Sequence, residues 1–507
     1  MFPRARVLLS SVTGAEARIT TGRIRGRAHD GITVFKGVPY AAEPFGRNRL
    51  AAPVPAASWD GTREAVAFGP RAPQAAMVPG FPGWTPAEGL DCLTVNVWTP
   101  DHGGSGLPVM VWVHGGAYLV GTSSQPEYDG ATLAAEGVVV VTFNYRVGME
   151  GFGWVEGAPA NRGLLDQIAA LRWVQDNIAV FGGDPGRVTV FGESAGAGSI
   201  AALLAMPAAR GLFRRAIAQS VPGTYFAPEF AHRLSTAITA EVGCGPTVAD
   251  LADVSPEVLV AAAEAMTAKL QDDHPTWGPI ASTPTPYSPV VDGEVLPTTP
   301  WRALADGAGR DLELIVGFNR DEFRLFLALA GRFGTLGDGH VTKIMKHLAP
   351  PGGAAAYRAA HRHTPAEDLY SLVLSDWLFR MPSAHLADAH AAAGGKTFAY
   401  ELAWPSPGLK GMLRACHALD VPLTFGTLDK GVAELVIGEP VPDEAVELSA
   451  QFRAAWTAFA TTGDPGWPAY NPAGAITHVF DTFTKDVRDP QALSRRVWAA
   501  HRFDPLE

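Results

Sequence analysis

The sequence predicts an α/β fold: a mostly parallel central sheet flanked by helices, with helical excursions above it. Three observations lead there. Between residues 109 and 220, short β-branched runs alternate with helical stretches, the pattern of parallel strands joined by covering helices. Glycine and proline, 55 and 41 in number, are spread along the chain and do not gather in a linker. Two Ala-, Leu- and His-containing stretches, 225–300 and 323–395, interrupt the strand pattern without any internal repeat or low-complexity tract.

Taken in order, the first elements are strands at Val109 to Val113, Val138 to Phe143 and Val188 to Phe191. Before the third strand, Leu164, Ile168, Leu171 and Gln175 share one helical face with Leu165 and Val174 beside them, which makes this segment a crossover helix. The turn Gly182-Gly183-Asp184-Pro185 ends that unit. Further strands are expected at Leu312 to Gly317 and Thr397 to Leu402, with an amphipathic helix near Glu444 to Thr461 closing the chain. The stretches near 225–300 and 323–395 are read as cap excursions over the C-terminal edge of the sheet, where ligands bind in open α/β folds.

With 507 residues and 47% hydrophobic content the chain can bury a large core, and length alone permits up to about three domains. The even spread of glycine and proline favours one: a flexible N-terminal tail over 1–15, then a single domain over 16–507. That tail has two early arginines, but its apolar part, Val7 to Leu9, falls short of the roughly 7 to 15 residues of a signal peptide. No apolar run approaches the roughly 18 to 20 residues that span a bilayer.

A net charge of −11 without clustered Lys or Arg argues against a nucleic-acid partner. A small molecule is expected instead. The three cysteines, Cys92, Cys244 and Cys416, show no C-x-x-C spacing, so neither a disulfide scaffold nor a metal site is indicated. This fits a reducing cytoplasm and leaves export open. His361 and His363 lack a third ligand nearby and are expected on a solvated face.

The chemistry begins at Gly192-Glu193-Ser194-Ala195-Gly196. A strand, Val188 to Phe191, enters this G-x-S-x-G and an Ala- and Leu-rich helix leaves it, the context of a strained turn that lifts a nucleophilic hydroxyl above a sheet. A glycine-rich turn with a capping serine is the competing account. His114-Gly115-Gly116-Ala117 follows a buried strand directly. Its two glycines let main-chain N–H groups of Gly115 and Gly116 reach a ligand, and with the N–H of Ala195 they would cradle an oxyanion. His114 itself reads as a structural hydrogen-bonder.

The hydroxyl needs a base, and 14 histidines leave residue type undecided. Chain order in the α/β-hydrolase fold is Ser, then Asp or Glu, then His, on loops after later strands. Glu322 follows the strand ending at Gly317, and His417 follows the strand ending at Leu402. On these grounds alone, a surface carboxylate and an ordinary loop histidine remain open alternatives.

The motifs resemble those of the type-B carboxylesterases, the family of bacterial para-nitrobenzyl esterases, vertebrate carboxylesterases and cholinesterases. The stretch from Gly31 to Tyr40 with Glu43-Pro44 is similar to the family's opening F-x-G-x-P-Y-A-x-x-P pattern. Phe181-Gly182-Gly183, Val188-Thr189-Val190 and the serine motif reproduce its 16-residue signature with the spacing intact. Asn144-Tyr145-Arg146, Gly163-Leu164-Leu165-Asp166-Gln167 and Gly463-Asp464-Pro465 match other blocks, so the likeness covers nearly the whole chain.

The resemblance implies an α/β-hydrolase fold and a serine carboxylesterase acting on small-molecule esters without metal or cofactor. It implies Ser194 as nucleophile, Glu322 as acid, His417 as base, and Gly115, Gly116 and Ala195 as oxyanion hole. Glu193 is similar to a buried supporting glutamate. Tyr118, Trp277 and Phe326 are expected to line the substrate pocket. A non-catalytic binding module of the same fold, and a lipase, amidase or transacylase using the same residues, are the rival readings. The chain also departs from the family. Leu90 replaces an acidic residue, and Ala72 stands where the disulfide partner of Cys92 usually lies. Phe323 replaces a common glycine after the acid, and Asp420 a common glutamate after the histidine.

Overall fold

The computed structural model describes residues 13–76 and 82–507. Its centre is one twisted sheet of thirteen strands. The first are β1 (Thr13–Ile19), β2 (Gly22–His29), β3 (Ile32–Pro39), β4 (Thr62–Glu64) and β5 (Thr94–Thr99). They are followed by β6 (Leu107–Val113), β7 (Val139–Phe143), β8 (Gly183–Glu193) and β9 (Arg215–Gln219). The last four are β10 (Glu313–Asn319), β11 (Lys396–Leu402), β12 (Ile476–Phe480) and β13 (Lys485–Arg488). Their spatial order is β1-β2-β3-β5-β7-β6-β8-β9-β10-β11-β12-β13, with β4 on β2. From β7 through β12 every neighbour is parallel, while the β1-β2-β3-β5-β7 flank and the final β12-β13 pair are antiparallel.

The parallel part is buried on both faces, and alternation along one strand divides the core. Val109, Val111 and Val113 of β6 pack with Leu164, Ile168 and Ile200 on one side. Met110 and Trp112 face the other, against Phe191, Phe425, Phe452 and Trp456. The first layer is supplied by the helices Arg162–Asn177 and Ala195–Ala205, the second chiefly by Asp443–Thr462. A side chain such as Val111 or Leu164 contributes about 1.5 to 3 kcal/mol by leaving water.

Two expectations about element bounds are corrected. The strand expected to begin at Val188 begins at Gly183, because Leu107 already pairs with Gly183 before a register shift brings Val109 opposite Val188. The tail expected over 1–15 lies outside the described residues as far as residue 12, and Thr13 to Ala15 are already in β1, paired with Ala28 to Gly26.

The 225–300 stretch holds the helices Pro228–Ala240 and Pro256–Leu270, packed on each other. The 323–395 stretch holds Asp338–Leu348 and Ala366–Ser375, likewise packed together. Its last helix differs from the cap expectation, since Met381–Ala392 lies against β10 and β11. Parallel neighbours need a crossover between them, and this helix supplies it. Just before it, Asp376–Arg380 forms one π-helical turn.

Sheet topology marks where a site belongs. The chain leaves β6 toward β7 on one side and leaves β8 toward β9 on the other. Connections diverging from neighbouring strands open a crevice at their carboxyl ends.

All three cysteines are free thiols, with Cys92 and Cys416 buried. Burial pushes both thiols up, so neither ionises to react in the folded protein. Titration of unreduced protein in denaturant is therefore expected to find three thiols. A count of one would mean that a disulfide closes after all.

Candidate active site

Ser194 stands in the crevice between β6 and β8, on the turn from β8 into the helix Ala195–Ala205. Its backbone, at φ 57° and ψ −124°, is held in a region that non-glycine residues avoid. Ser194 donates its N–H to the carbonyl of Gln219 at 2.9 Å, which ties the turn to β9. The flanking glycines are sterically required. A Cβ on Gly196 would overlap the Val113 carbonyl, and one on Gly192 would lie 2.6 Å from the same oxygen.

The loop after β6 passes directly over the serine, since a Cβ on Gly115 would come 3.2 Å from that of Ser194. Gly116 has φ 112°, and its carbonyl accepts the N–H groups of Leu119 and Val120 at 3.0 and 2.9 Å. Among the described residues no acceptor takes up the N–H of Gly115 or Gly116. Ala195, first in its helix, also has no intrahelical acceptor. Gly116→Ala is expected to cost several kcal/mol of stability and most of the activity, because its Cβ would strike the Val120 carbonyl at a positive φ. Urea unfolding and initial rates measure both losses.

His417 reaches the crevice from the loop after β11, and Glu322 from the end of β10. Nδ1 of His417 lies 2.6 Å from Glu322 Oε2. Glu322 Oε1 accepts the hydroxyl of Ser220 at 2.6 Å and the N–H of Asn319 at 2.8 Å. The acid is thus fixed from β9 and β10 as well as by the imidazole. The Phe379 ring stacks on His417 at 4.2 Å between centroids, and the Phe326 ring lies tilted to the imidazole at 5.1 Å. The π-helical turn carries Phe379 there.

Nε2 of His417 lies 3.0 Å from Glu193 Oε1, and no hydrogen bond joins it to the Ser194 hydroxyl. Unliganded sites often hold such bonds open until substrate arrives. Burial raises the Glu193 carboxyl, and neighbouring Asp420 and Glu322 reinforce this against His417. For His417, burial lowers the pKa, but Glu193 and Glu322 outweigh it and the imidazole ends raised. Because the two groups lie 3.0 Å apart, protonating Glu193 would release part of its pull on the imidazole. Behind them Asp420 is buried and raised by desolvation, while accepting hydrogen bonds from Gln219, Tyr400 and Asn319 at 2.8, 2.8 and 3.2 Å.

These groups open into a cavity of about 540 Å³ lined chiefly by apolar side chains. Tyr118 and Phe326, two of the three residues proposed from the sequence for a substrate pocket, line this cavity. Trp277 does not; its ring packs edge-on against Phe230 with the Arg233 guanidinium over it, held there by the Pro228–Ala240 helix. His114 stacks on Tyr145, and its Nδ1 lies 2.8 Å from the Gly115 carbonyl. Burial pushes it down to about 4, so it stays neutral. The sequence reading missed Ser220, Asn319 and Phe379. Ser220 and Asn319 sit at the carboxyl ends of β9 and β10, a position that could have flagged them. Phe379 lies in a helical turn with no local signal.

A carboxylesterase family model matches residues 13–488. The chain belongs to the carboxylesterase family. It is 37% identical to the para-nitrobenzyl esterase of Bacillus subtilis, over 94% of this chain and 96% of that protein. It is 33% identical to liver carboxylesterase 1 of Oryctolagus cuniculus, over 94% and 91% of the two chains. Among solved structures, Geobacillus stearothermophilus carboxylesterase EST55 superimposes with a TM-score of 0.83 at 34% identity, over 95% of this chain and 99% of that one. This carboxylesterase has the α/β-hydrolase fold and acts on small-molecule carboxylic esters. None of its described helices is long and apolar enough to cross a membrane.

Proposed function

We propose that the enzyme hydrolyses esters by two acyl transfers through a Ser194–His417–Glu322 triad. The observation carrying this reading is the convergence of three loops, after β8, β10 and β11, on the crevice beneath the free N–H groups of Gly115 and Gly116. Ser194 Oγ bonds to the ester carbonyl carbon as His417 Nε2 takes its proton. The carbonyl oxygen becomes an oxyanion facing the N–H groups of Gly115, Gly116 and Ala195, each such donor being worth about 3 to 4 kcal/mol of barrier. Collapse breaks the carbon–alkoxide bond, and Nε2 returns the proton to the departing alcohol. Water then repeats the sequence on the acyl-enzyme, giving the acid and free Ser194. Glu322 fixes the imidazole tautomer and stabilises the imidazolium.

The two helical stretches form a cap, since Thr267 and Gln271 from the first, and Leu325, Phe326 and Phe379 from the second, border the same cavity. Three free thiols support a reducing compartment, the cytoplasm.

Diisopropyl fluorophosphate is expected to inactivate the enzyme with one adduct, on the peptide containing Ser194. An adduct on another serine with activity lost in proportion overturns the assignment. The charge arrangement adds a pH test. Activity needs neutral His417, so kcat/KM rises with pH through the raised imidazole pKa. Glu193→Gln removes one carboxylate that stabilises the imidazolium, and the acidic limb is expected to move to lower pH. An unmoved limb would show that Glu193 is uncharged throughout that range.

A further inference from the structure

The two helical stretches meet beside the cavity mouth, where Gln271 of the first and Leu329 of the second both line the cavity and are both exposed. Immediately beyond Gln271, the first stretch turns through Asp272 and Asp273 into the short helix His274–Trp277 and the turn Gly278–Ser282. The helix Asp338–Leu348 of the second stretch packs on that turn. At the junction the rings of His274 and His347 stack, 4.4 Å apart between centroids and 20° from parallel. His274 is buried and His347 half-buried. Each stretch supplies one ring, so the pair spans the seam between them.

We propose that the His274–His347 stack is a latch on the cavity mouth, closed while both imidazoles are neutral and loosened when they take up protons, so that acid admits bulkier esters. Its effect on esters rests on the acyl-transfer reading above. The hydrogen bonds suit a neutral ring. Nδ1 of His274 lies 3.4 Å from the Asp272 carbonyl, and Nε2 lies 2.8 Å from the Ser282 hydroxyl. A neutral imidazole donates from one nitrogen and accepts at the other, which matches a carbonyl on one side and a hydroxyl on the other. Among the described residues neither ring pairs with a carboxylate that would hold a second proton in place.

The surrounding charges make protonation of the stack costly. Lys343 and Lys346 share a helix with His347, and Lys343 donates to the Asp272 carbonyl at 2.9 Å. The Asp272 carboxylate is already engaged, by Lys343 at 3.4 Å and by Arg332 at 3.8 Å. Asp273 caps the short helix through the Thr276 N–H, and Arg233 of the Pro228–Ala240 helix donates to the Thr276 carbonyl. Burial lowers the His274 pKa, and His347 and Lys343 lower it further against the Asp272 main chain and carboxylate. Burial also lowers that of His347, with Lys346 and Lys343 acting in the same direction. Both rings therefore take up protons more readily in an open seam than in a closed one. Closure is fully favoured above the ordinary imidazole value of about 6.5 and weakens as the pH falls below it. The Asp272 ion pairs lie outside the latch and keep the two stretches tethered.

The test compares kcat/KM for 1-naphthyl butanoate with that for ethyl butanoate at about pH 7.5 and about pH 5.5. Both values carry the same ionisation of the free enzyme at His417, which cancels in their ratio. In the wild type the naphthyl-to-ethyl ratio is expected to rise at least about threefold on acidification. His347→Phe keeps an aromatic ring in the stack and cannot take a proton, so its ratio should stay level. His347→Lys carries the charge permanently, so its ratio should already be high at the upper pH. A level ratio in the wild type, an equal rise in His347→Phe, or a wild-type ratio in His347→Lys at the upper pH overturns the latch, and the wild-type result stands even if a variant fails to fold. Amide exchange tests the seam without catalysis: corrected for intrinsic rates, protection of the Asp338–Leu348 helix should fall about tenfold on acidification in the wild type. Unchanged protection overturns the latch. If protection falls but neither ester is hydrolysed and Ser194 resists the fluorophosphate, the seam stands and the acyl-transfer reading has failed.

Discussion

Ser194→Ala is expected to lower ester hydrolysis by about four orders of magnitude or more while leaving the melting temperature close to that of the wild type. The large effect follows from the reaction: without Oγ no acyl-enzyme forms, and the oxyanion donors can assist only direct attack by water. The small effect on stability follows from the site. Ser194 holds its turn through its main-chain N–H to Gln219, which alanine keeps, and its hydroxyl makes no hydrogen bond that folding would miss. The strained φ of 57° is borne equally badly by either residue. Initial rates together with a thermal melt decide the matter. Retention of a tenth of the activity in a folded variant would place the nucleophile elsewhere.

Glu322→Gln is expected to lower kcat by about two to four orders of magnitude with little change in KM, because the imidazolium loses its partner and its tautomer is no longer fixed. The neighbouring carboxylate provides the control. Asp321 points away from the imidazole, toward Arg414 at 3.7 Å, and donates its N–H to the Ala415 carbonyl at 2.8 Å. Asp321→Asn should therefore lose far less kcat and show its effect as reduced thermal stability. A larger kcat loss in Asp321→Asn at unchanged stability would exchange their roles. The glutamine variant also carries a structural cost, since Glu322 Oε1 accepts from both Ser220 and Asn319. A melt on each variant separates that cost from the chemistry.

The readable part of this protein was the part built by local rules. Strand–turn–helix chemistry identifies Ser194, because the turn demands glycines at 192 and 196 that leave room for the Val113 carbonyl. The His-Gly-Gly stretch is equally local, as it must follow a buried strand directly. Glu322 and His417 were reached differently. They are 95 residues apart and meet only through tertiary structure, so chain order and family resemblance singled them out where periodicity could not. Trp277 shows where such reasoning stops. Its membership of a helical excursion was legible, but the direction of its ring is set by Phe230 and Arg233, which no sequence spacing announces. The strand start at Gly183 was missed for a related reason, since glycine, aspartate and proline read as a turn until a partner strand pairs with them.

Ser194, Glu322 and His417 follow strand ends of a closely packed sheet, while Thr267, Gln271, Phe326 and Phe379 come from segments inserted between strands. That separation has an evolutionary meaning. An insertion can lengthen, shorten or exchange its aromatic residues without moving Ser194 relative to the Gly115–Gly116 loop, because no strand of the sheet has to shift register. Lineages sharing this scaffold can therefore diverge in diet faster than in chemistry. Selection for a new ester in this chain is expected to collect its first substitutions in those inserted segments and leave β6 and β8 untouched.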